Sequence, residues 1–409
     1  MFSKQVVAAA AVIGAGIGLH TQAQAQMSIN GGITARFGST TRSGDVQPDH
    51  DNTVNGVDGH FALFLTYTKD LKDGYNAGFN CITVATTADG AGKGFDVGSL
   101  PVFHEWDKVF ATAENYAATA GGFASYGNVN GDSNGPMCND EVNGFLQTPY
   151  GRFTAGNIMN PMRQLYDAYT VNPLWGNQRS YYVVADVRAN AVQYSNSWDG
   201  LNVIAHLNTA SNNNAAGTDS AHDMAYTAVV SYDLGNGTVL GAGAMKADGG
   251  FASKQVSASA FERHNAYGIA AKTRLGDINV GYTYMRGSLD QNGQGAQLSN
   301  AESDHTIKVA YDMGKWSFQG FLSKEKLSWS TPLANYTVVA PGAFLGQTFR
   351  QLDTDRKRVD LWAMYDMGKD VKTYLRLDTI QKTFTSQQLA GFSATMRVTL
   401  LEGGWMINF

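Results

Sequence analysis

Leu401-Glu402-Gly403-Gly404-Trp405-Met406-Ile407-Asn408-Phe409 is the stretch whose reading decides the fold. Leu401, Trp405, Ile407 and Phe409 fall on one parity, with Gly403 filling their row. A free end is usually polar and frayed unless something ties it down. An apolar, aromatic strand that runs to a terminal carboxylate must therefore be paired and covered. A lipid-facing strand that closes a transmembrane β-barrel meets that need, because closure satisfies every backbone group and leaves no sheet edge.

The same period of two governs the chain from about Met27 onward. Tyr226, Ala228, Val230 and Tyr232 alternate with Thr227, Ser231 and Asp233, and Ile278, Val280, Tyr282 and Tyr284 alternate with Asn279, Gly281 and Thr283. A soluble sandwich alternates too, so the aromatic residues arbitrate. Tyr67, Tyr232, Tyr282, Tyr284, Tyr311, Trp316, Tyr365, Trp405 and Phe409 share the greasy parity near strand ends, where a membrane barrel places its interfacial girdles. The opposite row carries Lys272, Arg274, Lys308, Asp312, Lys372, Arg376 and Asp378, which a barrel turns toward a watery lumen.

Connections alternate between tight and long. Ser197-Trp198-Asp199-Gly200, Leu234-Gly235-Asn236-Gly237, Gly276-Asp277 and Gly368-Lys369-Asp370 read as hairpin turns. Long connections are expected near 38–55, 88–137, 159–187, 210–221, 247–263, 288–303, 327–357 and 384–392. Short turns at one end and long loops at the other is the asymmetry of outer-membrane barrels. The runs give an all-β fold, a transmembrane antiparallel β-barrel of about 16 strands, with 18 as the alternative count.

The other end of the chain agrees. Lys4, an apolar run from Val6 to Leu19 and the small-residue pattern Ala23-Gln24-Ala25 read as a secretory signal peptide over residues 1–25, leaving a barrel domain over 26–409. No other stretch approaches the roughly 20 apolar residues of a transmembrane helix. Charged residues make up only 16% of the 409-residue chain, which suits rows that average out along each strand. A net charge of −5 argues against a nucleic-acid partner.

The two cysteines, Cys81 and Cys138, are an even pair in an exported chain, which favours a disulfide over two separate thiols. Oxygen-rich segments at Asp49-x-Asp51-x-x-x-Asn55-Gly56 and around Asn128 to Gly135 lack EF-hand spacing and read as solvated loops. His104-Glu105 lacks a second zinc-binding His, so no metal and no cofactor is expected. Ser231 and Ser323 have no His nominated beside them, so no enzyme is expected.

With strands and turns placed, the chain resembles the Gram-negative trimeric porins. The resemblance rests on Pro149-Tyr150-Gly151-Arg152-Phe153 with Thr154-Ala155-Gly156-Asn157, and on a loop from Ile158 to Val187 that contains Met162-Arg163-Gln164-Leu165-Tyr166-Asp167-Ala168-Tyr169. It continues through Arg188-Ala189-Asn190-Ala191-Val192-Gln193-Tyr194-Ser195, the turn before Leu201-Asn202-Val203, and the terminal Trp405-x-Ile407-x-Phe409. The chain departs from the family at Gln193, where a basic residue is common, and it lacks a Pro-Glu-Phe-Gly-Gly-like motif in the loop.

The resemblance implies a passive channel for ions and small hydrophilic solutes in the bacterial outer membrane. An adhesin or structural barrel, or a substrate-specific channel, stands as the alternative. It implies an infolded constriction loop with Asp167 and Asp186 as acids, and Tyr166 and Tyr169 narrowing the gap. Arg163 would either line the pore or anchor the loop. Arg36, Arg152, Arg188, Lys272, Arg274, Lys308 and Arg376 would stand on the wall. A homotrimer in outer-membrane lipid and lipopolysaccharide is implied as well. Trp405, Ile407 and Phe409 would form the signal read by the barrel-assembly machinery.

Overall fold

The computed structural model describes residues 25–45, 52–86, 138, 141–162, 165, 188–209, 224–248, 263–293, 296–329, 336–337, 348–349, 353–386 and 391–409. Sixteen strands close into one antiparallel barrel. They are β1 (Ala25–Gly44), β2 (Asn52–Lys72), β3 (Tyr75–Thr86), β4 (Glu141–Thr148), β5 (Gly151–Met159), β6 (Arg188–Trp198), β7 (Leu201–Thr209), β8 (Met224–Asp233), β9 (Val239–Asp248), β10 (Arg263–Leu275), β11 (Ile278–Gly293), β12 (Ala296–Met313), β13 (Trp316–Trp329), β16 (Asp353–Gly368), β17 (Val371–Thr385) and β18 (Ser393–Asn408). Between β13 and β16 a separate two-stranded ribbon pairs β14 (Tyr336–Thr337) with β15 (Thr348–Phe349). The barrel therefore has 16 strands and not the alternative 18, and the ribbon is a separate sheet.

Neighbours in the wall follow chain order, and β1 closes the ring against β18. At that seam Gly31 and Phe409 exchange both backbone hydrogen bonds, at 2.9 and 3.1 Å, and the Asn408 amide donates to the Asp370 carbonyl at 2.9 Å. The Phe409 ring lies over Gly31, where an added Cβ would come within 2.8 Å of it, and stacks on Phe61 with centroids 6.5 Å apart. The last strand is thus paired on both edges, and a glycine makes room for its final ring.

Leu401, Trp405, Ile407 and Phe409 are exposed, whereas Leu400, Glu402, Gly404 and Met406 are buried. The same split holds on β11, where Thr283 and Met285 are buried between the less covered Tyr282, Tyr284 and Arg286. One row faces outward and the other the lumen. Near the tight turns the outward row is aromatic: Trp316 packs on Tyr365 at 4.9 Å and on Phe318 at 5.9 Å, and Tyr67 on Phe79 at 5.7 Å. No helix among the described residues is long and apolar enough to cross a membrane.

Two-residue turns set the register at the short end. Asp73 and Gly74 have φ of 53° and 81°, Asp199 and Gly200 of 44° and 83°, and Lys369 and Asp370 of 53° and 63°. Positive φ at both central positions is the type I′ geometry that matches strand twist. At the other end the strands reach further than their sequence implies. The expected long connection near 288–303 is mostly strand, because β11 and β12 stay in register from Ile278–Tyr311 to Gly293–Ala296. Likewise β1 extends to Gly44, and β16 begins at Asp353 instead of 358. Polar strand ends that rise beyond an apolar belt carry no greasy row, so periodicity underestimates them. Pro149 and Tyr150 form the turn before β5.

Candidate functional site

The inner wall is the surface on which a barrel acts, and here it divides into sectors of different chemistry. On β8–β11 the inward row is made of small and flexible apolar residues. Ala225, Val229, Met245, Ala266, Ala270 and Met285 form a buried cluster with Met162 and Leu165, which come from the segment after β5. Asn160 begins that segment: its side-chain carbonyl accepts from the Met162 amide at 2.9 Å, as a helix N-cap does, and its amide donates to the Thr227 hydroxyl at 3.0 Å. Asn160 is completely buried. Gly243 leaves the space for this contact, since a Cβ there would lie 2.7 Å from the Met162 sulfur. Asn160, Met162 and Leu165 therefore pack on the inner wall of the barrel, as the start of an infolded loop would, and the rest of the expected loop lies outside the described residues.

On β13 and β16–β18 the inward row is charged. The Arg376 guanidinium donates to both oxygens of Asp360 at 3.0 Å and to Asp378 at 2.6 Å, and stands 3.5 Å from Glu402. Arg358 meets Asp378 through its Nε at 3.0 Å, and lies 3.8 Å from Asp360. Arg356 pairs with Glu325. The Tyr374 hydroxyl donates to Glu402 at 2.6 Å, and the Trp362 ring lies 4.6 Å beneath the Arg376 guanidinium. Asp360 and Asp378 are fully buried. Charges this deep are stable only when paired, and here each arginine meets at least one carboxylate, while Glu402 Oε2 and Arg356 Nε make no hydrogen bond.

Between these sectors the wall is polar. His206 Nδ1 lies 3.1 Å from the Gln193 side-chain oxygen on the inward row of β6 and β7. On β3 and β4, Asn80 accepts from Thr66 at 3.1 Å and donates to Asn143 at 2.9 Å, and Asn143 donates to Glu141 at 2.6 Å. Among the described residues no cluster of His, Cys, Asp or Glu has the makings of a metal site.

The expected wall cations separate into distinct roles. Arg376 faces inward but is consumed by its three carboxylates, so it is a structural centre rather than a free pore charge. Arg274 folds onto its turn, donating to the Gly276 carbonyl at 2.9 Å. Arg152 is inward on β5 and stacks 3.7 Å over the Phe145 ring. Lys272 and Lys308 are cross-strand neighbours of Gly281 on the inward row. Arg36 and Arg188 sit on β1 and β6, in register with Gly404 and Met159, with side chains outside the described set. Arg163, Tyr166, Asp167, Tyr169 and Asp186 lie outside the described residues, as do residues 1–24, Asp49, Asp51 and the segment from Asn128 to Gly135, whereas Asn55 and Gly56 are part of β2 rather than of a loop.

Sequence reasoning missed Arg356, Arg358, Asp360, Trp362 and Glu402. The signal was present: Arg356, Arg358, Asp360 and Trp362 alternate with Lys357, Val359 and Leu361. Cys81 and Cys138 are joined by a disulfide, with the Cys138 amide donating to the Thr83 hydroxyl at 2.8 Å. The bridge lies on the outward row, since Cys81 pairs with Leu65 and Val142.

A family model described as Gram-negative porin matches residues 7–383. No curated protein matches the chain. Among solved structures, the anion-selective porin from Comamonas acidovorans is 15% identical and superposes with a TM-score of 0.58, over 94% of this chain and all of its own. A loop L8 deletion mutant of OmpT, an outer membrane protein of Vibrio cholerae, is 11% identical with a TM-score of 0.55, over 94% of this chain and 99% of its own. The trimer form of in-vitro folded OmpT from the same organism is also 11% identical, with a TM-score of 0.52 over 92% of this chain and 99% of its own.

Proposed function

We propose that this chain, which belongs to the family of Gram-negative porins, works as a homotrimer of general diffusion channels that sort small hydrophilic solutes by size rather than by recognition. It is a porin of the bacterial outer membrane, and its water-filled channel carries ions and small hydrophilic solutes passively. The observation that carries the general-diffusion reading is the inner wall. One of its cations, Arg376, is buried and held by three carboxylates rather than presented to a passing solute. What remains toward the lumen is polar and mixed.

Trimeric assembly is supported by the trimer form of OmpT, whose fold this chain shares. Surrounding outer-membrane lipid and recognition of Trp405, Ile407 and Phe409 during assembly complete the reading. No catalytic role is assigned. Ser231 takes a hydrogen bond from Asn202 at 3.3 Å and stays an ordinary wall residue. Lipid or peptide hydrolysis that disappears on replacing one histidine would overturn that assignment.

The test is single-channel recording of refolded protein in planar bilayers, with liposome swelling in sugars of rising size. Ohmic steps arriving in threes, and a permeation rate that falls smoothly with solute size, are expected. Failure to conduct would refute the channel. A saturable, solute-specific rate would refute general diffusion and favour a substrate-specific pore.

A further inference from the structure

The Cys81–Cys138 bridge stands where the finished fold gives a soluble reagent no way to it. Cys81 lies in the middle of β3 (Tyr75–Thr86), on the outward row, and is only 2% exposed. Its cross-strand line runs through Ile29, Leu65, Cys81 and Val142, apolar throughout. Ile29 and Val142 are exposed on the outer face, so the bridge is set into the greasy belt itself. Thr83, the next outward position of β3, is buried as well and accepts from the Cys138 amide at 2.8 Å. Cys138 holds a φ of 56°, which a residue with a side chain seldom adopts. The bridge and the Thr83 bond together pin it to β3 just before β4 begins.

β4 (Glu141–Thr148) is the shortest strand of the wall, and it meets β3 only from Asn76–Gln147 to Ile82–Glu141. The cysteines stand 57 positions apart, so an unbridged chain must close that whole excursion before β4 finds β3. A bridged chain arrives with the two strands already side by side. The bridge therefore matters most during assembly, while strands are still finding their partners.

We infer that the bridge is formed on the unfolded chain, before β3 and β4 enter the membrane, and that this protein is thus the substrate of a soluble disulfide oxidant and not of an oxidant acting on the finished barrel. This rests on the outer-membrane reading, in which the outward row faces hydrocarbon. The thiolate of one cysteine attacks the oxidant's disulfide and expels one of its two sulfurs as a thiolate. The thiolate of the other cysteine then attacks the chain's own sulfur in this mixed disulfide. The Cys81–Cys138 bond forms as the oxidant's second sulfur leaves. The chain gives up two protons and two electrons, and the oxidant's disulfide takes up both electrons and ends as two thiols. Each attack needs a thiolate and an open line to sulfur. A hydrocarbon-facing row solvates no anion, and a sulfur buried in it offers no line.

The experiment uses the full chain with its cysteines reduced, and oxidised glutathione as the oxidant. One sample is held unfolded in urea, and the other is first refolded into phosphatidylcholine vesicles. Bridge formation is followed by maleimide labelling in denaturant and mass spectrometry. The unfolded chain is expected to close the bridge at least about a hundredfold faster than the refolded one. Once closed, the bridge should resist the water-soluble phosphine TCEP in vesicles and yield to it in urea. A refolded chain that oxidises at the unfolded rate, or a bridge that TCEP opens in vesicles as fast as in urea, would overturn the inference. Should the reduced chain fail to insert where the bridged chain succeeds, read as heat-modifiable gel mobility, the order is shown directly. A wild-type pore that fails to conduct would instead strike the channel reading and leave the cysteine result legible.

Discussion

The inner wall at β8–β11 and the inner wall at β13 and β16–β18 both exclude water from a surface that faces it, and they do so by opposite means. The first uses small apolar residues and a glycine so that Met162 and Leu165 settle against the backbone. The second fills the same kind of position with three arginines and four carboxylates that pair with one another. A porin therefore does not need a uniformly hydrated wall. It needs one sector that holds a loop and another that keeps its shape beside water. An apolar seat tolerates loss of a few methylenes by degrees. A charged network fails abruptly, because each removed partner strands another ion.

The sharpest way to break this comparison is Asp378→Ala. It leaves Arg358 and Arg376 short of a shared carboxylate, and should cost about 3–5 kcal/mol in the denaturant midpoint of the refolded barrel. An unchanged midpoint would mean that water already reaches the network. Next, Met162→Ala should cost about 2–4 kcal/mol and raise open-channel noise, because the seat of the infolded segment loses its deepest side chain. A quiet channel of wild-type conductance would show that other contacts hold the loop. Gly243→Ala acts on the same seat from beneath, forcing Met162 aside at a cost of about 1–3 kcal/mol. Together with Met162→Ala it should cost less than the two separately, and strict additivity would deny their contact. Smallest of all, Arg274→Ala should change stability by no more than about 0.5 kcal/mol, because its bond to the turn is exposed. A larger loss would extend the charged sector beyond β13–β18.

Much of the wall was legible in the sequence because lipid imposes a strict alternation. The outward aromatic row, the type I′ turns at Asp73-Gly74 and Asp199-Gly200 and the closing strand all carry local signals. The two sectors do not. Ala225, Ala266 and Ala270 look like weak strand residues until β8 and β10 are set beside Met162, which lies more than sixty residues away from the nearest of them. Arg356 fell inside an expected loop, because β16 continues past the apolar belt. The partnership of Arg376 with Asp360 and Glu402 depends on the registers of β16 with β17 and β17 with β18. Periodicity shows which way a side chain points. It does not show which charge stands beside it, and so Arg376 read as a free wall cation.

The pairing of β1 with β18 joins Gly32 to Asn408, across nearly the whole length of the polypeptide. Contacts so remote in sequence form late and slowly. Until they form, the growing sheet carries two naked edges, each a template for a stray strand. The ring is a structure that must be shielded while it waits, and its own last hairpin is the piece that ends the wait.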